Sequence, residues 1–464
     1  MEALTSVYRG SASHGVGSVR RRNTQSVRVT MYLAQACIDL LVLAASFGIA
    51  DYIRHGEIGR SVDVASLTFL LPIFAVVSFY NRVYTYESMM SAGTSIGRVL
   101  VALGVALAID LLVVFAVKDT HQLSRSVFFA GSALAAMTLV MGRLPLLWYV
   151  RRVLRGTFMR RVLIIDDCPI DAPPDFETLY AGEVGIVPDV HNPIMLHNFS
   201  TRIAGADRVV VSCSPEKREN WSVYLKGVGC WGELLVPELH GIAPIHHEPH
   251  LGLVGIRVSA GPLDIRNRIL KRLLDLLFTV PAIVLLTPVF VLCAVAIKLD
   301  SRGPVLFRQR RMGRGNRLFD VYKFRSMKTD LSDKDGNRSA SRDDDRITRV
   351  GRLIRATSID ELPQLFNVLE GDMSLVGPRP HALGSLAGTQ LFWQVDQRYW
   401  LRHAIKPGIT GLAQVRGYRG ATDHQDDLSN RLRSDLEYVA DWTIVKDLAI
   451  LARTALVLVH KNAY

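Results

Sequence analysis

At 464 residues the chain has room for two or three domains, and its composition narrows what they are. It is 49% apolar with a mean hydropathy of +0.19, yet it carries a formal charge of +12 and a pI near 9.6. Long uncharged runs in so basic a chain exclude an ordinary soluble globule and indicate a membrane protein with a lipid-facing or phosphate-handling basic part. Nucleic acid is not an expected partner, because the arginines cluster among apolar segments and no nucleic-acid module is present.

Residues 1–30 are rich in Ser, Gly and Arg, lack an apolar core, and read as a disordered basic tail rather than a signal peptide. Residues 31–150 hold four apolar runs, at 31–50, 64–80, 99–117 and 127–150, each long enough to cross a bilayer as a helix. Basic residues precede the first run (Arg20, Arg21, Arg22, Arg28) and follow the last (Arg151, Arg152, Arg155, Arg160, Arg161). That asymmetry puts both ends of a four-helix transmembrane domain on the cytoplasmic side. Asp39, Asp110 and Arg143 lie inside the runs, and a packing pair between Arg143 and one aspartate is expected.

From 160 to 260 the pattern changes to short apolar runs at 161–165, 208–211 and 233–236 with polar stretches between them, the mark of a small Rossmann-like α/β domain. A nucleotide site would need a Gly-rich turn after the first strand. Asp166-Asp167-Cys168-Pro169 supplies two negative charges and no glycine, so a scaffold, dimerisation or regulatory role is favoured, and a homodimer is one form it allows. His240, His246, His247 and His250 have no acidic or cysteine partner pattern and do not read as a metal site. The five cysteines form no C-x-x-C pair and read as buried apolar residues in a reducing compartment.

The segment 265–464 opens on a further apolar run at 272–298. Both its flanks are basic, Asp275 lies in its first turn, and Pro281 and Pro288 interrupt it. A full crossing satisfies none of these features, whereas a helix that enters, breaks at Thr287-Pro288 and returns to the same face satisfies them all. Thr287 can bond backbone groups that the proline frees. Further on, Arg398-Tyr399-Trp400-Leu401-Arg402-His403 reads as a headgroup boundary, and the apolar stretch 444–459 as an interfacial helix.

Between Arg302 and Arg355 there are 13 Arg and 3 Lys against 7 Asp or Glu, and just beyond them come the adjacent carboxylates Asp360 and Glu361. Guanidinium groups beside an acidic pair suit a multiply charged phosphate and a divalent metal. Pro363 is tolerated only in a first helical turn, so a helix starts near Asp360, where unpaired N–H groups favour an anion.

Gly303-Pro304-Val305-Leu306-Phe307, Lys323-Phe324-Arg325-Ser326-Met327, Asp360-Glu361-Leu362-Pro363-Gln364-Leu365, Gly377-Pro378-Arg379-Pro380 and Lys406-Pro407-Gly408-Ile409-Thr410-Gly411 together resemble the bacterial sugar transferases. These are polyprenyl-phosphate hexose-1-phosphate transferases, the large monotopic phosphoglycosyl transferases. The resemblance implies a mainly α catalytic domain with the same re-entrant helix, carrying a Ser-Pro step where this chain has Thr-Pro. The fold class expected overall is therefore mixed membrane α and α/β.

The resemblance also implies the chemistry. Asp360 would attack the β phosphorus of a UDP-sugar, UMP would leave, and the phosphosugar would pass from the carboxylate to undecaprenyl phosphate, starting an exopolysaccharide or O-antigen repeat at the inner membrane. Glu361 would bind Mg²⁺ beside Asp360, and Arg355, Arg352, Arg379, Lys323 and Arg325 would line the phosphate site. Asp435 and Tyr438 fit the family's Asp-x-x-Tyr-Val step and read as structural support. Two other readings are a membrane-anchored nucleotide-sugar epimerase or dehydratase and a non-enzymatic polysaccharide assembly protein. The former needs a Gly-rich turn and a Tyr-x-x-x-Lys pair, which the middle domain lacks. The sugar itself is not legible, with glucose or galactose favoured.

Overall fold

Segments of bilayer length fold as helices because each must satisfy its own backbone N–H and C=O groups. The computed structural model describes residues 24–56, 63–116, 124–152, 159–239, 254–328, 346–418 and 424–459, in two compact units, Met1–Arg160 and Arg161–Tyr464. Of the disordered basic tail expected at 1–30, residues 1–23 lie outside the described residues and 24–30 are instead helical; the four histidines between 240 and 250 also lie outside the described residues.

The first unit contains α1 (Thr24–His55), α2 (Asp63–Tyr80), α3 (Tyr86–Met90), α4 (Ala92–Ala116) and α5 (Arg125–Arg152). α1 packs on α5 and α2 on α4, around Leu43, Phe47, Phe74, Val99, Leu103 and Leu139. Val27–His55, Ala92–Ala116 and Arg125–Val150 are long and apolar enough to span a membrane, while the apolar part of α2, Leu67–Tyr80, is shorter. α2 has 18 residues and rises about 27 Å, just under the ~30 Å of a hydrocarbon core.

The intramembrane charges pair as expected. Arg143 Nη2 donates to Asp39 Oδ2 at 2.7 Å, and the same carboxylate accepts from Tyr84 Oη at 3.0 Å and Gln35 Nε2 at 2.6 Å. Asp110 is also buried, and its Oδ1 has no partner among the described residues.

In the second unit β1 (Arg161–Ile165), β2 (Glu177–Tyr180), β3 (Arg208–Ser212), β4 (Trp231–Leu235) and β5 (Gly255–Ala260) form one sheet in the order β2-β1-β3-β4-β5. The first four are parallel and β5 runs antiparallel to β4. Helices α6 (Pro193–Arg202) and α7 (Arg218–Val228) pack on it. Residues 166–176, between β1 and β2, contain only turns and bends. At the strand ends Asp166 accepts from Lys217 Nζ and Trp221 Nε1, both at 3.0 Å, and Asp167 accepts from Ser214 N at 2.7 Å. These side chains stand where a dinucleotide fold would admit phosphate.

The chain continues through α8 (Ile265–Asp300), the antiparallel hairpin β6 (Leu306–Met312) and β7 (Leu318–Phe324), α9 (Arg349–Ala356), α10 (Gln364–Glu370) and β8 (Ser374–Val376). It closes with β9 (Gly408–Thr410), parallel to β8, then α11 (Gln425–Ala440) and α12 (Ile444–Val459). One core joins these elements to the sheet: Phe199, Val209 and Trp221 pack with Met312, Trp400 and Leu428. The β6–β7 turn is fastened to α6, with Ser200 Oγ donating to Gly315 O and Leu318 N donating to His197 Nδ1.

Helix α8 remains α-helical through Pro281 and Pro288, so no break in secondary structure occurs at Thr287-Pro288. Thr287 Oγ1 does bond back to Ile283 O at 2.9 Å, next to the Val284 carbonyl that Pro288 leaves without a donor. Its middle is bare, with Leu277, Val284, Leu285 and Leu292 all exposed.

Two sequence readings need correction. Tyr399, Trp400, Arg402 and His403 are buried rather than at a headgroup boundary; Trp400 Nε1 donates to Val190 O and Arg402 pairs with Asp435, so their polar atoms are satisfied inside the protein. Among the cysteines only Cys213 is buried, and Cys37 is exposed. Replacing Arg143 by Leu strands the Asp39 carboxylate and is expected to cost about 3–5 kcal/mol. Thermal unfolding in detergent micelles measures it, and adding Asp39→Asn should recover part of the loss.

Candidate active site

The chain around the acidic pair is bent by necessity. α9 lies so close to Ser326, two residues after β7, that a Cβ at Gly351 would stand 2.0 Å from Ser326 O, so only glycine fits there. Ser358 then adopts φ +55°, a left-handed conformation that reverses the chain between α9 and the 3₁₀ turn Ile359–Glu361. α10 begins at Gln364, just after Pro363. The N–H groups of Glu361, Leu362, Leu365 and Phe366 are consumed by short-range turn bonds. None of these four is left to hold an anion, contrary to the expectation from the sequence.

Basic side chains converge here from three elements. Lys323 Nζ on β7 donates to Glu361 Oε1 at 2.9 Å. Arg379, between two prolines, donates through Nη2 to Oε1 at 2.5 Å and through Nη1 to Oε2 at 3.2 Å. Arg355, in the last turn of α9, acts electrostatically on Asp360 together with Lys323 and Arg379. Arg352 is one turn further back and exposed. Arg325 does not join them. It is buried and caps the C-terminal end of α8, donating to the carbonyls of Ile297, Ser301 and Arg302 and to Ser301 Oγ.

The two carboxyls titrate in opposite directions. Burial pushes Asp360 above the ordinary carboxylate range; Lys323 pulls it back and Glu361 pushes further. Burial would do the same to Glu361, but Arg379 and Lys323 overcome it and hold that carboxyl well below the usual range. No hydrogen bond reaches the Asp360 carboxylate among the described residues. The site thus has one carboxylate locked in ion pairs and a half-buried neighbour left basic and without a hydrogen bond among the described residues.

Arg311 belongs here and was not singled out from the sequence. It bonds Pro380 O and Gln309 Oε1, and burial, with Arg379 beside it, lowers it to about 10. Its signal lies in the hairpin register: Phe307 pairs with Lys323 and Gln309 with Val321, so 307, 309 and 311 share the face that carries Lys323.

Behind Arg379 stands a buried polar scaffold. Arg402 Nε donates to Asp435 Oδ2 at 3.0 Å, its Nη2 to Arg379 O at 2.8 Å, and its Nη1 to His381 Nδ1 at 2.8 Å. A guanidinium can only donate, so His381 is neutral with its proton on Nε2; burial and then Arg402 hold it well below the ordinary histidine range. Asp435 thereby fixes the backbone of Arg379 through Arg402. Tyr438, from the same sequence step, accepts from Lys271 Nζ at 3.0 Å and donates to Asp447 Oδ1 at 2.6 Å, tying α8 to α12.

A family model described as bacterial sugar transferase matches residues 266–461. A UDP-glucose:undecaprenyl-phosphate glucose-1-phosphate transferase of Klebsiella pneumoniae is 32% identical over 455 residues, covering 93% of this chain and 90% of that one. The chain belongs to the bacterial sugar transferase family. An undecaprenyl-phosphate glucose phosphotransferase of Komagataeibacter xylinus is 54% identical over 193 residues, and a UDP-glucose:undecaprenyl-phosphate glucose-1-phosphate transferase of Escherichia coli is 42% identical over 234. Those matches take in 42% and 50% of this chain and span 36% and 50% of the two relatives.

Among the described residues no group of three or more His, Cys, Asp or Glu could hold a metal ion, so this sugar transferase offers no closed cage. An ion that takes most of its ligands from water and substrate phosphate still fits, because among the described residues Glu361 Oε2 accepts only the 3.2 Å bond from Arg379 and Asp360 accepts none.

The raised Asp360 carboxyl has a thermodynamic consequence. The folded state binds its proton more tightly than the unfolded chain, so its contribution to stability is fullest at low pH and falls as pH rises through the folded value. Asp360→Asn should therefore raise the unfolding temperature at neutral pH and have little effect in acid. Thermal melts at both pH values check this; an equal shift at both would refute it.

Proposed function

We propose that the chain transfers hexose-1-phosphate from a UDP-sugar to undecaprenyl phosphate. The observation that carries this is the divided acidic pair, Glu361 neutralised by Lys323 and Arg379 next to a basic, unbonded Asp360. An Asp360 carboxylate oxygen attacks the β phosphorus, forming a C–O–P bond as the bond to the α-phosphate oxygen breaks and UMP departs with that electron pair. An oxygen of the lipid phosphate then attacks the same phosphorus, freeing the carboxylate. Arg379, Lys323, Arg311 and Arg355 hold the phosphate oxygens and offset charge developing on them. Glu361 and Asp360 would hold Mg²⁺, which supplies charge neutralisation when bound.

The acceptor is a membrane lipid, and α8 supplies the meeting place. Its N-terminal end is tied to the transferase segment by Lys271, which bonds Val376 O at 2.9 Å, and its C-terminal end by Asp300, which accepts from Val350 N at 2.9 Å. Arg272 bonds Val368 O while the Phe290 ring packs against that of Phe366, tilted, with centroids 5.3 Å apart. A straight helix would separate Arg272 from Phe290 by about 27 Å, whereas their partners are about 3 Å apart along α10. This supports a helix bent at its prolines, whose apolar middle enters the bilayer and whose ends stay on one face. With basic flanks on that face, the face is cytoplasmic, where UDP-sugars are found. Glucose is the first hexose to test, given the names of the relatives above, and the product would begin an exopolysaccharide or O-antigen repeat.

Purified full chain, Mg²⁺, undecaprenyl phosphate and a panel of UDP-sugars, with UMP release as readout, tests the activity. UMP should appear with at least one UDP-hexose and fall to background in Asp360→Asn; release unchanged in that variant would remove the covalent route. Arg402→Lys loses the planar fork that holds Asp435, His381 and the Arg379 carbonyl together. It should raise KM for the UDP-sugar roughly tenfold with a smaller change in kcat, measured by steady-state kinetics.

A further inference from the structure

A second group of cations stands apart from the acidic pair, at the N-terminal end of α8. Arg268 and Arg272 are one turn apart on that helix and share a face. Arg272 donates to Val368 O and Leu369 O at the C-terminal end of α10. A Cβ placed on Gly371 would lie 3.5 Å from Lys406 Nζ and 3.8 Å from the Arg272 guanidinium carbon, so these two cations converge on one spot. Arg314, in the β6–β7 turn, is close enough to act electrostatically on Lys406 and Arg268.

Lys406 and Arg314 are half-buried, and neither side chain forms a hydrogen bond or ion pair among the described residues. Burial, with Arg272 and Arg314 beside it, pushes Lys406 down to about 8; burial, with Arg268 and Arg317, pushes Arg314 down to about 9. Two carboxylates act on Lys406. Asp275 is already bonded to Ser374 Oγ and Leu375 N, and Asp372 is exposed. Crowded cations with no carboxylate bonded to them are costly until an anion joins them.

Position defines the anion. Leu273, next to Arg272, and Leu277, one turn further on, are 60% and 67% exposed and begin the bare apolar stretch of α8. The spot is also separated from Asp360 by α10, whose seven residues span about 10 Å. An ammonium and guanidinium groups together match the several oxygens of a phosphate better than the two of a carboxylate.

We propose that Arg272, Arg314 and Lys406 form a second phosphate-binding site at the membrane edge, separate from the acidic pair, that holds the phosphate of a membrane lipid. It rests on the reading that α8 enters the bilayer and not on the chemistry assigned to Asp360. The lipid is a bilayer phospholipid or the polyprenyl phosphate itself, and the chemistry recognised is the same.

The test uses the full chain in maltoside micelles, which carry no phosphate. Phosphatidylglycerol, undecaprenyl phosphate and inorganic phosphate are titrated separately and bound molecules are counted by native mass spectrometry. The wild type should retain lipid, Lys406→Gln with Arg314→Gln should bind it roughly tenfold more weakly or worse, and Lys406→Arg should bind it normally. Weakening confined to phosphatidylglycerol assigns the site to phospholipid; weakening confined to undecaprenyl phosphate assigns it to the acceptor. Unchanged lipid binding in the double variant overturns the proposal, as does a wild-type preference for inorganic phosphate over both lipids. Should the double variant not fold, wild-type lipid retention that ignores added salt overturns it instead. Thiol labelling of Leu285→Cys in membranes reads the placement of α8 separately, and a water-accessible residue 285 would refute that placement and the site with it.

Discussion

Glu361 held between Lys323 and Arg379 is the interaction on which the site depends. Two cations drawn onto one carboxylate from a β-hairpin and from a proline-boxed loop fix the distance between those elements. They also leave the adjacent Asp360 without a partner of its own. The same burial that raises Asp360 would raise Glu361 if the two cations were absent. A carboxylate that is basic, desolvated and surrounded by guanidinium groups is suited to attack phosphorus. Its own charge is the cost, since it stands beside a second carboxylate and away from water.

The rest of the second unit can be understood as support for those two cation walls. Arg379 is held from behind by Arg402, whose guanidinium reaches Asp435, His381 and the Arg379 carbonyl at once. The hairpin bearing Lys323 and Arg311 is fastened at its turn to α6 of the five-stranded sheet, and Asn316 in that turn bonds His403 Nδ1 at 2.7 Å. The tight fit extends to α7, where a Cβ on Gly227 would meet Asn316 Nδ2 at 2.4 Å. The α/β segment therefore braces the site structurally, while its own strand-end crevice is filled by Lys217, Asp166 and Asp167.

The sequence made the periodic and the chemically dense features legible. Apolar runs located the helices, short runs rich in Val, Ile or Leu located β1, β3 and β4, and the Asp-Glu pair with Arg379 and Lys323 located the candidate site. β2 was hidden because Glu177-Thr178-Leu179-Tyr180 is a half-exposed edge with little apolar character, and β5 because Gly255–Ala260 is an exposed antiparallel edge. Arg325 was misassigned because composition counts cations but not their direction; one residue beyond β7, it turns to the carbonyls at the end of α8. Arg311 and Arg402 were missed for the converse reason, since their role follows from strand register and from a buried pairing 33 residues apart in sequence. The aromatic-cationic stretch 398–403 looked interfacial because a buried Arg is exceptional unless a partner such as Asp435 is known.

The most direct measurement is mass spectrometry of the full chain quenched during incubation with UDP-glucose and Mg²⁺ but no lipid acceptor. The account predicts a hexose-phosphate adduct on the peptide that contains Asp360, discharged when undecaprenyl phosphate is added. A chain that turns over yet never carries that adduct, or carries it on another residue, would contradict the central claim.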